Sequence, residues 1–303
     1  MEEKSTKEKK KESFLRRPLG ILRKQLGYKR ELIHPNLIRV VIPTLPYEGL
    51  DYTGKKMLPW SLMKLFDSCE ISEFWPLIKD KFDTGEVRVF YTLNFEMKVD
   101  YKFHLLETSK FPLILDTSVQ FVKRTSRCIE STLRHPSLQT PYAVASHVDV
   151  NMDPISRVPI PFPAWWKEHF KFPDKGVRRE FKLPPKSSVG VFTSQHRVEF
   201  SDTDENKHTN YTVYVRLAFN SMCENILSKR YGQSLDVYEI GLNTLQITYH
   251  NECGLGDTLT VSSWESKEAI LTFYFEIHKS DVLCATLSMS FYNMLDGNIY
   301  SNL

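Results

Sequence analysis

Polar side chains with chemical potential are concentrated between two regularly patterned segments, at residues 198–219. The sequence there reads VEFSDTDENKHTNYTVYVRLAF, a β-branched and aromatic run, a polar bend and an apolar run with helical spacing. Asp204, His208 and Asn210 follow one another in the bend at intervals of four and two. The first backbone N–H groups of a helix are unpaired and carry partial positive charge. We therefore predict that this strand-to-helix junction acts on a substrate that develops negative charge.

The elements around the bend form a recognisable series in the second half of the chain. A strand is predicted at about 195–201 and a helix at about 211–230, ended by Gly232. Four strand-like runs follow, near 235–251, 257–266, 269–278 and 282–294. One long helix followed by an antiparallel sheet of long strands predicts an α+β layer arrangement.

The first half repeats this order in weaker form. A strand is predicted at 37–43 and a long apolar helix at 57–78, which Pro59 and Pro76 break or kink. Strands are predicted near 86–100, 113–123, 126–134 and 141–151. The matching order predicts an internal repeat.

The bend and its helix resemble the signature of hotdog-fold acyl-thioester hydrolases, in the branch of the 4-hydroxybenzoyl-CoA and acyl-carrier-protein thioesterases. Members of that branch carry an Asp, a His four residues on, then an Asn, a Tyr and an aromatic-rich helix. The resemblance is strong over 195–295 and weak over 35–150. It implies two hotdog domains in one chain, each a long helix wrapped by an antiparallel sheet. Lys207 stands where the family commonly has glycine, so we expect a slightly different bend.

The resemblance also implies a reaction, the hydrolysis of an acyl thioester to free acid and thiol, without cofactor or metal. The expected substrate is acyl-CoA, with an acyl carrier protein as the alternative carrier. Asp204 would attack the carbonyl or activate water, while His208 and Asn210 orient the reacting groups. Backbone N–H groups of Tyr211 and Thr212 would stabilise the oxyanion. Asp202 is interpreted as a structural residue of the loop.

The acyl chain is expected to lie between the two long helices. Residues that would line this slot are Trp60, Phe66, Phe219 and Met222, although ordinary core packing is the alternative reading of their apolar side chains. At an offset of 154, the first half has Leu50 in place of Asp204 and Gly54 in place of His208, with Asp51 one position away. We therefore expect the first half to have a degenerate site.

Two other functions fit the same signature. An enoyl-thioester hydratase would use the acid and the histidine on a double bond, whereas a non-catalytic protein would only bind acyl-CoA. Release of thiol from acyl-CoA distinguishes hydrolysis from both.

Changes in composition divide the chain into four segments. Residues 1–34 carry eleven Lys/Arg and five Glu, which predicts a disordered tail or a basic amphipathic helix at 14–33 that touches a membrane surface. Residues 35–152 form the first hotdog-like half and 195–303 the second. Between them, 153–194 contains seven prolines and several aromatic residues, which indicates a stiff linker strapped across the sheets or an aromatic lid.

Composition also excludes several classes of protein. The net charge of +3 comes from the tail, so the body lacks the basic excess of a nucleic-acid-binding surface. No apolar run is long enough for a transmembrane helix. Five scattered cysteines without C-x-x-C spacing indicate a reducing compartment and no zinc site. His147, Asp149 and Asp153 come nearest to a metal cluster, but no metal is predicted. A homodimer is a further expectation.

The cellular address is predicted to be cytoplasmic, with the peroxisome as the alternative. Ser301-Asn302-Leu303 resembles the S-K-L tripeptide of peroxisomal import, although Asn302 replaces the basic residue. A fluorescent protein fused before residue 1 should appear in puncta if the tripeptide is read, and removing Ser301–Leu303 should disperse them. Diffuse fluorescence from the intact fusion would exclude the peroxisome.

Overall fold

A computed structural model describes most of the chain. The described residues are 28–34, 36–44, 47–51, 56–67, 89–105, 111–153, 156–170, 183, 190–204, 207–231 and 235–294. The predicted tail before residue 28, most of the linker between 171 and 189, and the C-terminal tripeptide therefore lie outside the described residues.

Within the described ranges, eleven antiparallel strands form one sheet. They are β1 (Lys29–His34), β2 (Leu37–Ile42), β3 (Val89–Val99), β4 (Leu113–Val122), β5 (Ser126–Arg134), β6 (Ala143–Met152), β7 (Phe192–Arg197), β8 (Ile240–Tyr249), β9 (Thr258–Glu265), β10 (Thr272–Lys279) and β11 (Val282–Asn293). The α-helices of the described residues are α1 over 59–67, α2 (Ala164–Phe170) and α3 (Tyr211–Leu227). The sheet and the helices α1 and α3 give an α+β protein with an antiparallel sheet, and residues 68–78 of the predicted first helix lie outside the described residues.

The order of the strands repeats across the middle of the sheet. The full order is β1-β2-β4-β5-β6-β3-β8-β11-β10-β9-β7, with β3 and β8 as central neighbours. On one side of this central pair, the strands that follow β3 outward are β6, β5, β4 and β2. On the other side, the strands that follow β8 outward are β11, β10, β9 and β7. Each strand from β2 to β6 thus has a counterpart five strands later. The internal repeat predicted from the sequence is present in the topology.

One continuous apolar core lies between the sheet and the helices. Alternating buried positions of β10, of the second half of β2 and of the first half of β4 point into it, as expected for strands with one buried face. Leu62, Met63 and Phe66 of α1 and Leu217 and Met222 of α3 pack into the same core. The two helices therefore cover neighbouring parts of one sheet face.

The observed strands confirm the predicted ones to within a few residues, but the start of the described chain differs. Residues 29–34 were assigned to a disordered or helical tail, whereas they form β1, paired with β2 from Lys29↔Val41 to His34↔Leu37. The reason is that the backbone of β1 folds back on β2 as a hairpin, while its mostly exposed side chains carry no apolar alternation that would indicate a strand. The tail reading is wrong for these residues.

The linker contains a helix that sequence analysis did not predict. Residues 164–170 form α2, and Trp166 is fully buried against Phe90, Phe162 and the sheet. These contacts form an apolar cluster separate from the core beneath α1 and α3. This part of the linker is therefore a strap on the sheet of the first half, not an aromatic lid.

A buried ion pair lies beneath the strap. Arg127 and Asp149 are almost inaccessible and contact each other at 2.8 Å, while the guanidinium carbon lies 3.9 Å from the centre of the Phe90 ring. His147 Nε2 lies 3.5 Å from the same carboxylate. Asp153, by contrast, accepts hydrogen bonds from Ser156. His147, Asp149 and Asp153 thus have other roles than a shared metal site.

Membrane-spanning helices and metal-binding clusters can be compared with the described part of the chain. No helix there is long and apolar enough to cross a membrane. Among the same residues, no group of three or more His, Cys, Asp or Glu side chains is arranged to hold a metal ion.

Removing Arg127 tests how the strap is held. Arg127→Met should lower the free energy of unfolding by about 3–5 kcal/mol, because it leaves the Asp149 carboxylate buried without its main partner. Arg39→Ala is the matched control, since Arg39 also forms a close ion pair, with Asp116 at 2.7 Å, but this pair is partly exposed to solvent. Its loss should lower the free energy of unfolding by only about 0–1 kcal/mol. Urea unfolding measures both, and equal losses would contradict the prediction.

The same pair predicts a pH dependence of stability. Burial disfavours the charged form of Asp149, but the charges of His147 and Arg127 and their hydrogen bonds hold the pKa of the carboxyl well below its ordinary value. A depressed pKa in the folded protein gives stability that is present above the unfolded pKa of about 3.9 and is lost as the pH falls below it. Arg127→Met should weaken this acid sensitivity in unfolding measured between pH 2 and 7.

Candidate active site

The polar bend is a closed loop whose two ends are joined by the main chain. Asp204 N–H donates to the carbonyl oxygen of His208 at 2.9 Å, and Thr203 pairs with Thr209 in an antiparallel bridge. The Asp204 carboxylate accepts the N–H of His208 at 3.3 Å. The predicted carboxylate and imidazole residues are therefore held together by the backbone between them.

Lys207 has a left-handed backbone conformation, which is uncommon for a residue with a side chain. Its φ is +64°, and its N–H donates to the carbonyl oxygen of Asp204 at 3.0 Å. Lysine adopts this conformation at an energetic cost that glycine would avoid. The expected difference from the bend of the family stays a prediction.

Asp202, the first of the two aspartates in the bend, holds the bend in place through hydrogen bonds and an ion pair. It is almost fully buried and accepts hydrogen bonds from Glu199 N–H at 3.0 Å and from His196 Nε2 at 2.8 Å, and it pairs with Arg216 of α3. Burial disfavours the charged carboxylate, but these hydrogen bonds and the Arg216 charge hold the pKa of Asp202 below its ordinary value. The structural role predicted for this residue is confirmed.

Asn210 caps α3. Its side-chain oxygen accepts the N–H of Thr212 at 3.0 Å and the Thr212 hydroxyl at 2.7 Å. The Thr212 amide predicted for the oxyanion is therefore engaged by the cap, and the role of the Tyr211 N–H stays a prediction. The carbonyl oxygen of Tyr211 accepts a hydrogen bond from the Tyr249 hydroxyl at 2.9 Å, which ties the start of the helix to the sheet.

The His208 side chain contacts two residues that were not predicted from the sequence, and one of them contacts a third. Its Nε2 lies 3.0 Å from Arg157 of the linker and 3.5 Å from Glu252, which follows β8. Arg157 also contacts Glu252 at 3.0 Å and the hydroxyl of Tyr91 on β3. No local pattern could have indicated these partners, because Arg157 is 51 residues from His208 and 66 from Tyr91.

Two cavities lie along the groove between α1 and α3. An apolar cavity of about 280 Å³ is lined by the start of α1, the C-terminal half of α3 and the beginning of β8. A more polar cavity of about 450 Å³ is lined by the later part of α1 and by Asp202, Thr212 and Arg216 at the start of α3. The two helices therefore run antiparallel along the groove.

The four predicted acyl-binding residues differ in placement. Phe219 lines the apolar cavity and Trp60 the polar one, and their rings meet edge to face at 5.7 Å. Met222 and Phe66 are buried in the core, where Phe66 contacts Phe95. Trp60 and Phe219 thus stand at the boundary between the two cavities.

The first half has a loop that corresponds to the bend. Leu50 pairs with Met57 ahead of α1, as Thr203 pairs with Thr209 ahead of α3. Asp51 Oδ1 accepts the N–H of Lys56 at 3.2 Å, which parallels the contact of Asp204 with His208 N–H. Asp51 is therefore the counterpart of Asp204 by position, without a histidine in its loop.

Comparison with known proteins bears on the second half first. Residues 188–292 match the acyl-ACP thioesterase C-terminal domain. This segment contains β7, the polar bend, α3 and nearly all of the following strands. No sequence among the curated proteins matches the chain.

Solved structures extend the likeness to nearly the whole chain. The 12:0-ACP thioesterase from Umbellularia californica has a TM-score of 0.65 at 11% identity, covering 87% of this chain and 99% of that one. A putative oleoyl thioesterase from Lactobacillus plantarum has a TM-score of 0.64 at 14% identity, covering 89% and 98%. An acyl-ACP thioesterase from Bacteroides thetaiotaomicron gives 0.62 at 13%, covering 84% and 97%.

These matches confirm the resemblance stated from the sequence. The overall fold is that of hotdog thioesterases, and the matched family and the similar structures named above are those of thioesterases, which are enzymes. The catalytic and binding roles of the individual site residues remain predictions.

Substitution of Asn210 separates its two roles. Asn210→Ala should lower the free energy of unfolding by about 1 kcal/mol because the cap is lost, whereas Asn210→Ser should preserve stability because serine caps as well. Chemical denaturation measures this difference. If the amide also orients the reacting groups, both variants should lose turnover, and full turnover in Asn210→Ser would leave only the cap.

Proposed function

We propose that this protein hydrolyses acyl thioesters, with one active site at the start of α3. The observation that carries the proposal is the match of residues 188–292 to a thioesterase domain, in which Asp204 and His208 occupy a closed loop directly before a helix. The helix start supplies backbone N–H groups where an oxyanion would form.

We further propose that the chain consists of two hotdog domains, 35–152 and 195–303, joined by the linker 153–194. The repeated strand order on either side of the β3–β8 pair supports this division. A long helix precedes the four later strands of the second unit, and α1 has the same place in the first. Both helices pack on one face of the shared sheet.

The reaction follows from the arrangement of the bend. Asp204 takes a proton from a water molecule, whose oxygen attacks the thioester carbonyl, or the carboxylate attacks the carbonyl itself. Tyr211 N–H and the positive end of α3 stabilise the oxyanion. Collapse of the tetrahedral intermediate breaks the carbon–sulfur bond. In the water route the thiolate takes up the proton held by Asp204 and leaves as free thiol. In the carboxylate route collapse leaves an anhydride between the acyl group and Asp204, and a water molecule then hydrolyses this anhydride, which restores the carboxylate, releases the free acid and supplies the proton of the thiol. His208 and Asn210 orient the reacting groups.

The acyl chain is placed in the groove between α1 and α3. Phe219 lies eight residues after Tyr211, which corresponds to about 12 Å along the helix. An acyl chain that starts at the oxyanion position would therefore reach the Trp60–Phe219 contact after several carbon atoms. Met222 and Phe66 would contribute as the packed floor beneath the groove.

The thioester carrier is proposed to be coenzyme A, with acyl carrier protein as the alternative. The similar structures from U. californica and B. thetaiotaomicron are thioesterases of carrier-protein substrates, which supports including that carrier in every assay. Thiol release from an acyl-CoA panel and an acyl-carrier-protein panel distinguishes the two. Hydration without thiol release, or binding without turnover, would replace hydrolysis by one of the two rival functions.

Location and assembly are proposed on sequence alone. The cytoplasm is the proposed location, with the peroxisome as alternative, and the part of segment 14–33 that precedes β1 is proposed to contact a membrane surface. A homodimer is proposed as well. Sedimentation with anionic vesicles and the mass in solution test the last two.

Asp204→Asn tests the central assignment. The substitution keeps size and turn propensity but removes the charge that attacks or deprotonates water, so turnover should fall by roughly 10² or more. Asp100→Asn is the matched control, because the Asp100 carboxylate also accepts a loop N–H, at 2.9 Å, away from the bend. Asp51→Asn, in the corresponding loop of the first half, should change turnover only a few-fold. Wild-type rates in folded Asp204→Asn would contradict the assignment.

A further inference from the structure

The guanidinium of Arg157 joins three parts of the chain at the proposed site. It contacts the Tyr91 hydroxyl on β3 and Glu252 Oε1 at 3.0 Å, and its second nitrogen lies 3.0 Å from His208 Nε2. The guanidinium carbon also lies 5.0 Å from the centre of the Tyr91 ring. One side chain from the linker therefore connects the first half of the chain to the imidazole and the carboxylate of the second half.

The loop that presents Arg157 is tightly closed on the end of β6. Arg157 N–H donates to the carbonyl oxygen of Asp153 at 3.0 Å, and Asp153 N–H donates to that of Val158 at 3.0 Å. Pro159 pairs with Met152 just beyond the loop. The φ of Arg157 is +58°, a left-handed value that is uncommon for a residue with a side chain. Such strained residues cluster at functional sites, where the surrounding structure holds them in place.

The contact with Arg157 fixes the hydrogen on the His208 ring. A guanidinium can only donate hydrogen bonds, so Nε2 of His208 must accept, and the ring is neutral with its hydrogen on Nδ1. Glu252 Oε2, 3.5 Å from the same nitrogen, can serve as a partner only when Nε2 carries a proton. Arg157 and Glu252 therefore favour opposite forms of the ring.

We propose that Arg157 is a positioning residue of the active site, which holds His208 in the Nδ1–H form and fixes the Glu252 carboxylate beside it. The inference rests on the proposed function in assigning that site to thioester hydrolysis. His208 then acts through its Nδ1–H as a hydrogen-bond donor in the resting enzyme.

The arrangement also gives the first half a part in the site. Tyr91 lies on β3, and its hydroxyl and ring face both contact the guanidinium. Tyr91→Phe removes the hydroxyl but keeps the ring, so it should weaken the placement of Arg157 less than loss of Arg157 itself. The half without a His in its loop is thus part of the active structure.

Kinetics of Arg157 variants provide the first test, with acyl-CoA and acyl-carrier-protein substrates. Arg157→Ala should lower kcat about tenfold, up to ~10², with little change in KM, because Arg157 contacts enzyme groups and not the substrate. Arg157→Lys should recover only part, since one ammonium cannot reach all three partners. Arg39→Ala, which removes a surface arginine paired with Asp116, should leave kcat unchanged. Wild-type kcat in folded Arg157→Ala would overturn the proposal.

Nitrogen-15 spectra of the histidine rings provide a second test that does not depend on turnover. The His208 signals, assigned by their loss in His208→Gln, should show the Nδ1–H form in the wild-type protein and a changed form in Arg157→Ala and, more weakly, in Tyr91→Phe. An Nε2–H ring in the wild type, or unchanged signals in Arg157→Ala, would overturn the proposal. Absence of thiol release with the expected spectra would reject the proposed function and support the positioning role.

Discussion

The pairing of β3 with β8 is the interaction on which the rest of the structure depends. Five residues of each strand are hydrogen-bonded in register, from Asn94↔Thr248 to Lys98↔Thr244. Because the strands are antiparallel, the beginning of β3 lies beside the end of β8. Tyr91 precedes the paired segment of β3, and Glu252 follows that of β8. A shift of the register would move these side chains apart and turn the buried face of each strand outward.

The linker is attached to the first half of the sheet by backbone hydrogen bonds and by aromatic packing. Its first residues run back beside β6, where Ile160 N–H donates to the carbonyl oxygen of Asn151. Phe162 N–H then donates to the carbonyl oxygen of Arg124, in the turn between β4 and β5. Trp166 then closes over Arg127 and Phe90 on the first half. A buried charge is costly unless it is paired, so the Arg127–Asp149 pair and the ring above it depend on each other. The strap is fixed on both sides of the loop that carries Arg157.

Two aspartates in one bend have different environments and therefore different roles. Asp202 is buried and saturated by donors from Glu199, His196 and Arg216, which makes it a structural anion beneath the helix start. Asp204, two residues on, is only partly buried and lies at the turn itself. Arg157 and Glu252, the charged residues beside His208, are half-exposed, in contrast to the buried Asp202.

The sequence by itself determined the local structure. Alternation and β-branched residues predicted the strands of both halves, and the polar bend before an apolar helix predicted the Asp204–His208 loop and the start of α3 at Tyr211. These features depend on neighbours along the chain, through the 3.6- and 2-residue periods. The strand β1 was missed because its side chains are mostly exposed and show no apolar alternation, although it pairs with the next strand, β2. The helix α2 was missed because a distant partner stabilises it, the Arg127–Phe90 surface. Only the tertiary structure decided that Arg157 contacts His208, Glu252 and Tyr91, since these contacts depend on strand register between segments far apart in sequence.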